Sequence, residues 1–169
     1  MSSENRAAHA LGRTFPGGER AFVNAMNVKS KILGMWTTKF TEPTGLNSGN
    51  ISSARDLAKL VDESSRIPLI EKFSTSKSSR IRIHNAIHKF KNSNSLVRKG
   101  SWNIVVSKTG FIRPSGKCLA MIAKVRNKPY IIITLDATAS SNRTKDAKRI
   151  FAWLSNYTTK SRMSFSQGH

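Results

Sequence analysis

The sequence predicts an α+β fold in which helices flank an antiparallel sheet. Two patterns and one size limit predict it. The first half carries apolar residues at helical spacing. The second half carries three apolar or β-branched runs and then one amphipathic helix. With 169 residues the chain has room for one domain. That unit is expected over residues 1–157, with Thr158 to His169 a polar, frayed tail.

Three helices follow from spacing. From Gly18 to Leu33, Phe22, Met26 and Leu33 fall near one face, and Gly34 supplies a stop. Ala54, Leu57, Ala58 and Val61 obey the i, i+3, i+4, i+7 rule behind Ser53-x-x-Asp56, which resembles a capping box. A third helix is expected from Thr144 to Tyr157, burying Ala147, Ile150, Phe151 and Leu154. A shorter one follows Asn5 and carries Ala7, Ala8 and Leu11. The strands are Trp102 to Ser107, which leads to Gly110, then Cys118 to Val125 and Tyr130 to Leu135. Arg126-Asn127-Lys128-Pro129 reads as the hairpin turn between the last two.

Composition excludes several classes. Hydrophobic residues make up 38% and charged residues 22%, a globular balance rather than a collagenous or disordered one. The longest apolar runs span a few residues, far below the ~20 needed to cross a bilayer. Cys118 is the single cysteine, so no disulfide framework is available. No apolar segment follows Met1, so the N-terminus does not read as a secretory signal. Charge is the extreme quantity. There are 29 Lys and Arg against 9 Asp and Glu, a net +20, and the stretch from Lys72 to Leu135 holds no carboxylate. Such a field attracts polyanions without choosing among them, and it makes a polyanion-binding module the alternative reading.

Other signals are weaker. His84 and His88 stand four apart and could share a helix face, but no Glu lies between them and no third ligand is evident, so no metal is assigned. Cys118 reads as an inert core thiol, and Trp36, Trp102 and Trp153 as packing residues. The basic run from Lys77 to Lys99 has few interleaved aromatics and reads as a solvated face rather than a nucleic-acid stripe.

Two short motifs carry chemistry. Ser3-Glu4-Asn5 precedes a helix, and Lys108-Thr109-Gly110 ends a strand. A Ser-x-Asn element followed by Lys-Thr-Gly makes two of the three signatures of penicillin-binding proteins and serine β-lactamases. The run from Phe22 to Leu46, with its phrase Glu42-Pro43-Thr44-Gly45-Leu46, resembles the low-molecular-mass D-alanyl-D-alanine carboxypeptidases and endopeptidases of peptidase family S11. So do Ser53 to Leu57 and Asn92 to Leu96, and the likeness extends from Ser2 to about Trp153.

The resemblance implies part of a β-lactamase/penicillin-binding-protein transpeptidase fold and acyl-enzyme chemistry on peptidoglycan peptides, with β-lactams as mimics and no cofactor. It gives Ser3 the proton relay to the leaving amine and Asn5 a hydrogen bond to the substrate backbone. Lys108 and Thr109 face the substrate carboxylate. Gly110 lets substrate lie along the strand edge. Arg143, at matching spacing from Lys108 and Trp153, either fixes a terminal carboxylate or is a solvated residue at a helix start. The family's nucleophilic Ser-x-x-Lys belongs ahead of Ser-x-Asn, so the chain as written is expected to be inactive without a preceding segment. Ser74-Thr75-Ser76-Lys77 matches the string but sits between the later motifs, in a stretch the family uses as loop or strand, and is read as a decoy. Ile112 stands where close relatives carry Thr, which bears on substrate preference. The family works in the periplasm, whereas the chain as written, with no leader, would stay in the cytoplasm.

Overall fold

The computed structural model describes the backbone of residues 1–166 and the side chains of residues 1–157. Helices α1 (Asn5–Thr14), α2 (Gly18–Ile32), α3 (Ala54–Ser64) and α4 (Pro68–Thr75) come first. A hairpin follows, β1 (Ser78–Ile83) and β2 (Ala86–Lys91), then the short α5 (Ser95–Lys99). Strands β3 (Asn103–Ile112), β4 (Gly116–Val125) and β5 (Lys128–Ala137) form an antiparallel sheet in that order, and α6 (Ser140–Ser166) closes the chain.

The sheet is the middle of three layers. On one face Leu119, Met121 and Ile132 pack with Leu96 of α5 and Ala147 of α6, bordered by Trp102, Ile104 and Ile150. On the other, Val106 and Ile122 pack with Val61 of α3. Leu119 and Met121 thus alternate against Ile122 along β4, the period-2 pattern of a strand buried on both sides. β4 and β5 join through Arg126 and Asn127, both left-handed (φ 50° and 64°), as a two-residue hairpin turn requires. β3 has β4 on one side; on its other edge the Ser107 N–H is taken by Ser74 of α4, and past that point no strand among the described residues pairs with it.

Helix α3 begins at the expected cap: the Ser53 hydroxyl accepts from the Asp56 N–H at 3.2 Å. The return half of a capping box is absent. The Asp56 carboxylate instead accepts from Thr37 N–H (2.9 Å), Thr37 Oγ1 (2.7 Å) and Thr38 Oγ1 (2.9 Å), and so ties α3 to the segment after α2.

Three expectations change. The hairpin β1–β2 and helices α4 and α5 lie in a stretch without strong helical or strand periodicity. Arg80-Ile81-Arg82-Ile83 does alternate, but too briefly to stand out. Helix α6 starts at Ser140, four residues before Thr144, and its backbone runs to Ser166. Trp36 and Trp153 are exposed (70% and 61%) and do not pack in the core. Only Trp102 does, stacked on Phe151 with ring centroids 4.1 Å apart.

Candidate functional site

Ser3 and Lys108 lie 105 residues apart in sequence, and the fold brings them into contact. The Lys108 Nζ donates to Ser3 Oγ at 2.7 Å and also bonds the Thr109 carbonyl. Ser3 adopts a left-handed backbone (φ 59°), a costly conformation for a residue with a Cβ, at the point where its hydroxyl meets the ammonium. Glu4 caps α1 through the Arg6 N–H, which sets Asn5 as the first helical residue. Asn5 is half-buried, and among the described residues its amide has no hydrogen-bond partner.

Lys108 and Thr109 sit on β3, paired with Ala120 and Leu119 of β4. A buried polar knot supports that strand from behind. The Ser107 N–H donates to Ser74 Oγ (3.3 Å), and Asn94 Nδ2 donates to Ser107 Oγ (2.8 Å). Asn92 Nδ2 donates to the carbonyls of Ser74 (2.8 Å) and Ser76 (2.9 Å), and its Oδ1 accepts from the Asn94 N–H (2.9 Å). All four side chains are buried, and mutual satisfaction of such groups fixes one arrangement.

The same knot disposes of the Ser74-x-x-Lys77 string. Ser74 closes helix α4, not a loop or strand, and its hydroxyl is occupied by the Ser107 N–H and the Glu71 carbonyl, while Lys77 is exposed.

Charge at the site is positive. Burial, then the nearby Arg143 guanidinium, lowers the Lys108 ammonium from its ordinary pKa. Arg143 is itself 7% exposed, so it is no solvated helix-start residue; its Nη1 donates to the Cys118 carbonyl at 3.2 Å. Two cations facing one region, with no carboxylate acting on either, leave an uncompensated field that suits an anionic ligand group. Gly110 pairs with Cys118, and a Cβ placed there would meet only the Cys118 Cβ, at 3.8 Å. A Cβ at this position would be in ordinary van der Waals contact, so the fold itself does not demand glycine there.

The other sequence candidates lie elsewhere. His84 occupies the β1–β2 turn and His88 lies on β2 opposite Ile81, so they share no helix. Among the described residues no three His, Cys, Asp or Glu side chains converge. Cys118 is half-buried at the start of β4 with its Sγ 3.2 Å from the Ser115 carbonyl, not in the core. Ile112 ends β3 opposite Gly116. The phrase Glu42 to Leu46 turns out to be a self-bonded loop. Its Glu42 carboxylate accepts from the N–H groups of Thr44 and Gly45, both at 2.6 Å, and from Asn50 Nδ2 at 2.9 Å. Pro43 packs on Gly12, where a Cβ would lie 2.9 Å from its ring. The parts played by Ser93 and Ser107 do not show in the sequence, although Ser93 lies in the Asn92 to Leu96 stretch that resembles the family.

Comparison with known proteins agrees with this arrangement. A family model described as D-alanyl-D-alanine carboxypeptidase, peptidase S11, matches residues 1–139. The D-alanyl-D-alanine endopeptidase of Escherichia coli is 44% identical over 156 residues, covering 91% of this chain and 50% of that protein. The endopeptidase of the same description from Pseudomonas aeruginosa is 43% identical with the same coverage. Among solved structures, a Listeria monocytogenes penicillin-binding protein in its cefotaxime-bound form is 29% identical with TM-score 0.77, over 89% of this chain and 60% of that one. A Streptomyces DD-transpeptidase is 26% identical with TM-score 0.80, over 87% and 61%. The chain therefore spans about half the length of these curated relatives. Contact between the Ser-x-Asn and Lys-Thr-Gly elements, on a sheet of this topology and over a match of this length, makes the chain a member of the D-alanyl-D-alanine carboxypeptidase family, peptidase S11.

Proposed function

We propose that this chain supplies the substrate-binding and proton-relay side of a serine D-Ala–D-Ala peptidase site acting on peptidoglycan peptides in the periplasm. The contact between Lys108 Nζ and Ser3 Oγ at 2.7 Å carries the reading, because it sets a hydroxyl beside a cation at an open strand edge. In the reaction, a serine hydroxyl contributed from outside residues 1–169 attacks the peptide carbonyl and forms an ester as the amide bond breaks. Ser3 passes the proton to the departing amine, and water then cleaves the ester. Lys108 and Arg143 hold the substrate carboxylate, Thr109 adds its hydroxyl, and the Asn5 amide bonds the peptide backbone. The substrate lies along the outer edge of β3 past Gly110 as an added strand.

Fluorescent penicillin tests this. The chain alone should take up no covalent label, and Ser74→Ala should change nothing. Joined to the preceding half of the Escherichia coli endopeptidase, it should label, and Lys108→Ala should then reduce the labelling rate about 100-fold. Labelling of the chain alone that disappears in Ser74→Ala would overturn the assignment.

A second reading has its own observation. On the β1–β2 hairpin, Arg80, Arg82, Lys89 and Lys91 share one face by register, and among the described residues none of them is paired with a carboxylate. Charge alone would give non-selective binding that falls steeply as salt rises, so a dedicated binding module must add contacts beyond charge. Sequence-selective nucleic-acid binding that survives moderate salt would favour this reading over the peptidase.

A further inference from the structure

We propose that Ser93 is a positioning residue that couples the Thr109 hydroxyl to the Ser3 loop, so that the two halves of the substrate site move as one. This rests on the peptidase reading for its purpose but not for its geometry. Ser93 lies between the buried Asn92 and Asn94, whose bonds to Ser74, Ser76 and Ser107 leave its backbone little freedom. Its side chain has two partners far apart in the sequence. Thr109 Oγ1 donates to Ser93 Oγ at 2.7 Å, and Ser93 Oγ donates in turn to the Met1 carbonyl at 3.3 Å. The Ser93 N–H bonds the same carbonyl at 3.1 Å.

The direction of these bonds matters. A hydroxyl carries a single proton, so while Ser93 donates to Met1 it can only accept from Thr109. Thr109 then spends its proton on Ser93 and keeps only lone pairs for any further partner. Two residues on from Met1, Ser3 receives the Lys108 ammonium. Rotation of Thr109 toward a substrate carboxylate would break its bond to Ser93 and loosen the hold on the loop carrying Ser3. Substrate engagement on β3 is thereby transmitted to the relay hydroxyl through one serine.

The reporter is Lys108. The Arg143 guanidinium from α6 acts on it, and the Met1 α-amine nearby is lowered from its ordinary value by burial and then by Lys108. No carboxylate acts on Lys108. If Ser93 holds the loop over Lys108, releasing it should rehydrate the ammonium and move its titration midpoint upward, toward that of an ordinary lysine.

Competitive amine labelling of the whole chain across a pH series, read at Lys108 by mass spectrometry, measures that midpoint without any catalytic activity. Ser93→Ala should raise it, Ser93→Thr should restore it, and the other lysines should not change. Thr109→Val removes the bond from its other end and should raise it as well, which gives a second route if Ser93→Ala does not fold. An unchanged midpoint in a folded Ser93→Ala or Thr109→Val chain overturns the coupling. So does a Ser93→Thr chain that behaves like Ser93→Ala, because packing would then explain the effect. A coupling that holds in a chain that never labels with penicillin after joining would sink the peptidase reading and leave Ser93 as assigned.

Discussion

At the scale of single residues, the costliest conformations mark where the chain has no substitute. Gly116 has φ 60° and ψ −163°, a region open essentially to glycine alone, and a Cβ there would lie 2.6 Å from Asp136 Oδ1 and 2.8 Å from its Cα. Gly116→Ala should destabilise the chain by ~3 kcal/mol, read as a fall in the midpoint of urea unfolding. Asp56 makes a pH prediction. Burial pushes its carboxyl up, but the hydrogen bonds from Thr37 and Thr38 and the Lys59 ammonium outweigh that and hold it below the ordinary value. A carboxyl whose pKa is lowered by folding contributes stability above its unfolded pKa of ~3.9 and loses that contribution as pH falls through the folded value. Asp56→Asn should therefore lower the melting temperature at neutral pH and flatten its decline between about pH 5 and pH 2, measured by thermal melts. The Ser53-x-x-Asp56 pattern revealed the helix start, but it could not reveal that the Asp56 side chain turns away to two threonines almost twenty residues back. Spacing encodes local partners only.

At the scale of elements, legibility followed periodicity. Helices α2 and α3 and strands β3 to β5 declare themselves because each buries a stripe whose period survives in sequence. Hairpin β1–β2 hides because both its faces are exposed, so neither is held to an apolar pattern. Its turn residue His84 is left-handed (φ 52°) without being Asn or Gly, which removes the usual mark as well. Helix α5 hides for another reason. It is five residues long and starts from the Asn94 side chain, which caps the Leu96 N–H at 3.0 Å. Asn94→Ala removes this cap and leaves Ser107 Oγ without its donor. It should cost more than the ~1 kcal/mol of an ordinary N-cap, whereas Ser53→Ala should cost about that amount, both read from urea unfolding. The candidate site divides in the same way. Its charged and hydroxylated members stand in short motifs, while the Asn and Ser side chains that hold them gain meaning only once the chain has folded.

At the scale of the whole molecule, two features work against stability. Large apolar side chains stand exposed along several elements, among them Leu69 and Phe73 of α4, Ile131 and Leu135 of β5, and Phe111 of β3. With the open edge of β3, they predict concentration-dependent association, visible as growth in light-scattering mass before any thermal transition. Lys108 is the second. Its pKa falls on folding, so the folded state sheds a proton the unfolded chain keeps, and the penalty is fully present at neutral pH and fades as pH rises toward the ordinary lysine value. Lys108→Met should therefore flatten the rise of stability with pH in the alkaline range, read from urea unfolding as a function of pH. The link from Lys108 to Ser3 has a consequence in time. Closing a loop across 105 residues is entropically the most demanding step this chain faces, and no local fragment can rehearse it. The hairpins and helices can form early, but the two motifs meet only when the sheet, the Asn92–Asn94 knot and the N-terminal loop are all in place. Site assembly is then the closing event of folding, and the slowest refolding phase should be the one in which Lys108 acquires its lowered pKa.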